Sequence, residues 1–182
     1  MKGLTISLLI VFASPFGFGR NQRLDSLKHE LSIIKQDTNR VLIMAELCNA
    51  YRSTNPDSAQ FYAQRAVALA RKINFPKGMV RALTNWGRVI TDSGNLPKSL
   101  QMQFEALQIA EDNELTEETG WPLSRIGTIY GALGDDIKAR GYRQRALKVF
   151  TASHDVNSTL ITLNSIGSLY RIESIGFGFV LF

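Results

Sequence analysis

A repeat with a period of 40 residues runs through most of this 182-residue chain and constrains its fold more than any other feature. Glycine recurs at Gly87, Gly127 and Gly167. Repetition at a fixed interval of a few tens of residues is typical of arrays in which each unit packs against its neighbours. Five more columns keep the same phase: Ala66, Ala106 and Ala146; Val67, Leu107 and Leu147; Leu69, Ile109 and Val149; Leu83, Leu123 and Leu163; Ile90, Tyr130 and Tyr170.

Each unit contains two stretches of helical spacing separated by a turn. In one unit the apolar residues recur every three or four positions over residues 123–130 and again over residues 142–150. Gly134-Asp135 lies between them, and Gly94-Asn95 takes the same place one unit earlier. Glycine there can end a helix in the left-handed conformation that other residues avoid. We therefore predict an all-α solenoid of helix–turn–helix hairpins with a period of about 40 residues.

The recurring glycines lie inside the first predicted helix of their units, where glycine is unfavourable. A mid-helix glycine costs about 0.5–1 kcal/mol relative to alanine. Because the same position is affected in three units, we expect a neighbouring helix to approach Gly87, Gly127 and Gly167 closely. Cys48 takes the glycine position in the earliest unit, and Trp86 takes a position held elsewhere by isoleucine. Both are predicted to be core residues.

One unit shows which known repeat the chain is similar to, with the spacing Leu123-x2-Ile126-Gly127-x2-Tyr130 followed by Ala139 and Ala146. This alternation of small and large residues resembles the tetratricopeptide repeat family. The resemblance implies a right-handed α-solenoid over residues 41–171, about three and a half repeats. The family's usual period is shorter, about 34 residues, and its proline after the second helix is missing here. HEAT-type repeats have the longer period without this phase of Gly, Tyr and Ala, and are the second interpretation.

The N-terminus has the pattern of an export signal. Lys2 is followed by an almost unbroken apolar stretch over residues 4–13, and then by Pro15 and small residues. We predict a signal peptide over residues 1–19, which places the mature chain in the periplasm or outside the cell. An uncleaved anchor is the alternative. An amphipathic pattern predicts an N-terminal capping helix over residues 20–40.

The C-terminus departs from the repeat. A fourth first helix is predicted over residues 158–170, but residues 172–182 form an atypical apolar tail where a second helix is expected. Terminal repeats normally present a polar outer face. Three interpretations stay open: a truncated or frameshifted product, a short strand or helix packed on the last hairpin, or an anchor.

A narrower similarity concerns the first hairpin. Asp37-Thr38-x-Arg40-Val41, Asn55-Pro56-Asp57-Ser58-Ala59 and Tyr62-Ala63 resemble the exported repeat arrays that precede bacterial sensor histidine kinases. Asn55-Pro56-Asp57 also predicts a helix start, because Asn caps well and Pro suits the first helical position. The similarity implies an alternative function, a truncated sensory domain of a membrane-bound two-component kinase or related regulator.

The sequence offers no constellation that would carry catalysis. The two histidines, His29 and His154, are far apart, Cys48 is the single cysteine, and nucleophile, metal-binding and phosphate-loop motifs are missing. We therefore expect no enzyme activity, no cofactor and no metal. The formal net charge of +5 is scattered along the chain, so nucleic acid is not an expected partner. A membrane is expected only if the signal stays uncleaved or the chain is a fragment of a membrane protein.

The resemblance implies a protein- or peptide-binding scaffold whose first helices line a concave groove. Arg52 and Arg88 share one inferred face, which favours an acidic peptide or a C-terminal carboxylate as partner. An ordinary solvated face is the alternative. The groove residues carried over from the family are Asn49, Arg52, Arg81, Thr84, Arg88, Trp121, Ser124, Thr128, Asn164 and Arg171.

Overall fold

The computed structural model describes the backbone of residues 15–178 and the side chains of residues 22–168, and all its regular elements are helical. The signal peptide predicted over residues 1–19 lies mostly outside this part of the chain. The helices are α1 (Pro15–Ile33), α2 (Asp37–Tyr51), α3 (Pro56–Lys72), α4 (Pro76–Asp92), α5 (Leu96–Asp112), α6 (Gly120–Ala132), α7 (Asp136–Ala152) and α8 (Val156–Gly178), with a 3-10 turn (Thr116–Thr119) before α6.

The helices stack as three successive hairpins, α2/α3, α4/α5 and α6/α7. The first helices of the hairpins lie side by side, while α1 packs on α2 and α8 packs on α7. This confirms the predicted all-α solenoid of helical hairpins. Two boundaries differ from the prediction. α2 begins at Asp37 rather than at residue 41, and α8 continues past residue 170 without a break.

The second helix of each hairpin begins at a side-chain cap. The cap oxygen accepts a hydrogen bond from the backbone N–H three residues later, which satisfies a donor that lacks a partner within the helix. α3 begins as its Asn-Pro-Asp signal predicts, with Asn55 Oδ1 accepting from Ser58 N at 2.9 Å. The same bond recurs at Asn95, Asp135 and, before α8, Asp155.

The turns repeat with the same period as the helices. Gly94 and Gly134, within hairpins, have φ of +83° and +79°, which confirms the predicted left-handed helix ends. Between hairpins the left-handed position falls on residues with side chains, although this conformation costs such residues about 1–2 kcal/mol. The sequence did not predict this, because no glycine marks these positions, yet the same helix-ending hydrogen bonds form there, as from Phe75 N to the Ala70 oxygen. The residues in the left-handed position are Asn74, Glu114 and His154, with φ of 50°, 56° and 56°.

The small-residue columns form the closest helix contacts. Ala66, Ala106 and Ala146 are fully buried, as is Cys48. A Cβ atom added at Gly127 would lie 2.8 Å from Arg143 Cγ, and one at Gly87 would meet the Gln103 side chain. The predicted close approach is therefore confirmed at both glycines. At Gly167 it is wrong, because nothing lies within 4 Å of such an atom and no described helix covers that side of α8.

Candidate functional site

A groove of about 400 Å³ crosses the first helices of the three hairpins. Its lining from α2 comes from residues 42, 45, 46 and 49, which is the spacing of one helix face. The remaining lining comes from α4, the 3-10 turn and α6. The apolar faces of these helices pack into the core, so the polar residues beside each apolar face line the groove.

Two hydrogen bonds between neighbouring hairpins fix the groove floor. Asn85 Nδ2 donates to the backbone oxygen of Ala45 at 2.8 Å, which joins α4 to α2. One turn further along, an Arg88 guanidinium nitrogen donates to Asn49 Oδ1 at 2.7 Å. The amide of Asn49 therefore presents its remaining polar atoms in a defined orientation.

At one end of the groove two cations pair with one carboxylate. Arg81 donates to both carboxylate oxygens of Glu118, at 3.1 and 2.9 Å, and Lys77 Nζ lies 3.2 Å from the same carboxylate. Burial alone would raise the pKa of Glu118, but the bonds from Arg81 and Lys77 outweigh it and the pKa is lowered. The hydrogen bond to Glu118 in turn raises the pKa of Arg81. Both cations at this end are therefore already paired with a carboxylate.

At the other end a guanidinium lacks a counter-ion. The Arg125 guanidinium lies over the Trp121 ring, 5.1 Å from its centroid, and its buried Nε has no hydrogen-bond acceptor. No hydrogen bond or ion pair is formed by Arg125 within the part of the chain that the structure describes. Burial, together with the positive charges of Arg88 and Arg52, lowers the pKa of Arg125 to about 9, so the group is still protonated at neutral pH.

The neighbouring arginines do not relieve this charge. Arg52 forms an ion pair with Asp92, and Arg88 bonds to a neutral amide. Burial and the charge of Arg52 also lower the pKa of Arg88. Three guanidinium groups and one carboxylate thus lie in or beside this end of the groove. The result is a half-buried positive site beside an aromatic ring.

A family model described as the SusR N-terminal TPR domain matches residues 16–118, more than half of the chain. The chain belongs to this tetratricopeptide repeat family. Tetratricopeptide repeats are generally protein-binding scaffolds without catalytic activity. The resemblance seen in the sequence motifs is therefore confirmed. No curated protein sequence matches the chain.

Solved structures show the same tetratricopeptide repeat fold at low sequence identity. A Rap protein complexed with competence and sporulation factor is 19% identical, with a TM-score of 0.77 over 91% of this chain and 47% of its own. Aspartyl phosphate phosphatase F from Bacillus subtilis is 16% identical, with a TM-score of 0.71 over 87% of this chain and 45% of its own. The chain thus spans about half the length of these two structures.

A third structure carries its repeats in a larger signalling protein. It is a signal transduction ATPase with numerous domains, with a tetratricopeptide repeat sensor, from Pyrococcus horikoshii. It is 20% identical to this chain, with a TM-score of 0.67 over 86% of this chain and 24% of its own.

The structure brings half of the predicted groove residues of this tetratricopeptide repeat array together. Ser124 and Thr128 lie outside the groove, since Ser124 is buried and Thr128 donates to its backbone oxygen. Asn164 lies on α8 away from the groove, and the side chain of Arg171 is outside the described residues. Arg52 lies beside the groove, bonded to Asp92. Those that line it are Asn49, Arg81, Thr84, Arg88 and Trp121.

The sequence interpretation missed Arg125, Asn85 and Glu118, all of which line the groove. Each residue of an α-helix is turned by about 100° from the one before it, so a shift of one position changes what a helix presents. On α6 the groove faces Arg125 rather than its neighbour Ser124. The repeat does contain a signal for two of these residues, because Asn85 and Arg125 hold the same position of successive units.

Other kinds of site have little support in the described part of the chain. No group of three or more His, Cys, Asp or Glu side chains there could hold a metal ion. Burial raises the pKa of the Cys48 thiol to about 12, so it is protonated and enclosed. Within the same residues, no helix is long and apolar enough to cross a bilayer.

Proposed function

We propose that this chain is a non-catalytic scaffold whose groove binds an acidic segment of a protein or peptide. The observation that carries the proposal is the unpaired guanidinium of Arg125 beside Trp121. A partly buried charge without a counter-ion is costly, and an incoming carboxylate would supply the counter-ion that this guanidinium lacks. Guanidinium groups bind carboxylates through two parallel hydrogen bonds, which makes this pairing both strong and directional.

The surroundings of Arg125 suit an extended acidic peptide. The Arg88 guanidinium would attract a second carboxylate, and the Asn49 side chain can bond to a peptide backbone. The Trp121 ring provides an apolar surface next to the charge. Because Arg81 and Lys77 are already paired with Glu118, the acidic group is expected at the Arg88–Arg125 end.

The test is a binding assay with a library of acidic peptides that end in a free or an amidated C-terminus. Fluorescence of Trp121 provides the signal, since a carboxylate bound to Arg125 changes the charge over the indole ring. Arg125→Gln keeps a hydrogen-bonding side chain but removes the charge. We expect it to weaken binding of the best peptide at least about tenfold, which corresponds to roughly 1.4 kcal/mol. Equal binding of free and amidated ends would place the recognised carboxylate on a side chain.

Lys148→Gln is the matched control, because it removes the same charge from an exposed position on α7 outside the groove. It should leave affinity unchanged. If Arg125→Gln and Lys148→Gln weaken binding equally, the attraction is a property of the net charge and the groove proposal fails. Failure of every acidic peptide to change the Trp signal would also overturn it.

We also propose that the protein acts outside the cytoplasm. The apolar stretch over residues 4–13, with Lys2 before it and Pro15 after it, supports this location. The test is to express the chain with a C-terminal alkaline phosphatase, which is active only after export. Replacing residues in the apolar stretch by charged ones should abolish phosphatase activity. Absence of phosphatase activity in the fusion with the unaltered sequence would contradict export.

A sensory role is the second candidate function. It is supported by the match to an N-terminal domain and by the similarity to an ATPase whose repeats are described as a sensor. The proposal is an input arm of a sensor histidine kinase or related regulator. A sensor must transmit occupancy, so peptide binding should change amide hydrogen exchange beyond the groove, in α7 and α8. Changes confined to the groove would favour the simple scaffold.

A further inference from the structure

The last described helix presents an apolar face that the earlier units bury. Val156, Leu160, Leu163 and Gly167 follow the spacing i, i+4, i+7, i+11 on α8, and we call this set the α8 face. Leu160 and Leu163 are 57% and 48% exposed. One and two units earlier, Leu163 is matched by Leu123 and Leu83, each only 3% exposed.

The earlier units show what normally covers this face. The second helix of each hairpin does so: α5 packs Gln103 against Gly87, and α7 packs Arg143 against Gly127. Phe150 of α7 likewise covers Gly120, which corresponds to Leu160. At Gly167 the same position is an open notch among the described residues. The α8 face therefore has the shape of a helix-binding surface.

We propose that the α8 face of one copy of this chain packs antiparallel against the α8 face of a second copy. A twofold axis between residues 163 and 164 would place Leu160 of each copy opposite Gly167 of the other. The exposed leucine would then fill the notch that α5 and α7 fill in the earlier hairpins. A contact with twofold symmetry uses the same patch on both subunits, so a patch with both a projection and a notch can match itself.

The part of α8 around the proposed twofold axis is uncharged, which favours a second copy as the occupant. Residues 156–168 include no Asp, Glu, Lys, Arg or His. In a symmetric dimer, a charged residue near the twofold axis lies close to the same residue of the other copy, and the two like charges repel. The residues beside the α8 face are neutral, with Asn157, Asn164 and Ser168 along its edge. Small polar side chains of this kind can bond across such an interface without unpaired charge.

The experiment is sedimentation velocity of the full chain over a wide range of protein concentration. We expect a concentration-dependent monomer–dimer equilibrium. Leu160→Glu should weaken the dimer at least about tenfold, because it buries an unpaired charge against Gly167 of the other copy. Gly167→Leu should weaken it as well, since the added side chain fills the notch. Ile33→Glu is the matched control, because Ile33 is 62% exposed on α1, at the opposite end of the array.

A second measurement tests the geometry directly. Leu163→Cys should be joined to its own copy by a short bis-maleimide, while Ile33→Cys should not. Cys48 will not interfere, because it is fully buried. A chain that stays monomeric at every concentration would overturn the proposal. So would a dimer that Leu160→Glu leaves intact, or a monomer whose α8 face binds an amphipathic peptide with the sequence of α7. None of these outcomes depends on the groove, so the two proposals can fail separately.

Discussion

Arg81 and Glu118, 37 residues apart, form a bidentate pair in which Nε and Nη2 of the arginine donate to the two carboxylate oxygens. The pair joins α4 to the turn that leads into α6, and so connects the second hairpin to the third. Lys77 adds a second cation to the same carboxylate, whose side chain is only 12% exposed. Electrostatic contacts across the hairpin boundary thus add to the apolar packing that holds the array together.

The first prediction concerns the pH dependence of this contact. The pKa of Glu118 is lower in the folded chain than its usual value of 4.5. Its contribution to stability is therefore fully present above about pH 4.5 and is lost as the pH falls through the folded pKa. Near neutral pH, Glu118→Gln should lower the free energy of unfolding by about 1–2 kcal/mol, since both cations are partly exposed.

Urea unfolding near neutral pH and at acidic pH measures this effect. The difference between the wild type and Glu118→Gln should shrink on acidification. Glu117→Gln is the control, because Glu117 is an exposed neighbour on the same turn. A difference that is the same at both pH values would contradict the assigned ion pair.

The second prediction compares two glycines of one repeat column. Gly127→Ala should destabilise the fold by about 1–3 kcal/mol, because the new methyl group would lie 3.0 Å from the backbone oxygen of Ala139. Gly167→Ala meets nothing within 4 Å and should stabilise α8 by about 0.5–1 kcal/mol. Both variants are compared by thermal unfolding in a Leu160→Glu background. The proposed dimer is absent there, so changes in dimerisation do not contribute to the measured stability. Equal effects at both positions would be inconsistent with the described packing.

The third prediction concerns the single thiol. Cys48 is fully buried and its pKa is raised to about 12, so the reactive thiolate is scarce at neutral pH. A disulfide reagent should react with the folded chain at least about a hundredfold more slowly than with the chain in urea. Rapid labelling without denaturant would show that the first hairpin opens readily. Addition of a groove-binding peptide should not increase the rate at which the reagent labels Cys48.

The fourth prediction concerns charge reversal in the groove. Arg88→Glu would place a carboxylate near Arg125 and give that guanidinium an internal counter-ion. Affinity for an acidic peptide should fall by more than Arg125→Gln alone causes, and binding titrations measure this. The double variant with Arg88→Glu and Arg125→Gln tests the coupling, because the two effects should not add if the new carboxylate acts partly by pairing with Arg125. Unchanged affinity in Arg88→Glu would count against the groove.

Local chemistry made much of the fold predictable. The cap at Asn55 and the left-handed turns at Gly94 and Gly134 depend on residues that are near one another in sequence. The buried alanine columns follow from the helical period, which shows which face of a helix is apolar. These features recur every 40 residues, so each unit supports the interpretation of the others.

The groove was only partly predictable, because its polar lining depends on how the hairpins are rotated against one another. Ser124 and Arg125 are adjacent in sequence, yet one is buried and the other lines the groove. Nothing local distinguishes their roles. The left-handed position at His154 was also missed, since its bonds to the end of α7 are local but no glycine marks it in the sequence.

The sequence by itself determined that the chain is a ladder of helical hairpins, because periodicity, caps and turns are properties of short segments. The tertiary structure alone decided that Arg125 is half-buried without a counter-ion and that Gly167 is open while Gly127 is covered. Both depend on which atoms of distant segments come within a few ångströms. The two glycines hold the same position of the repeat, and only their neighbours differ.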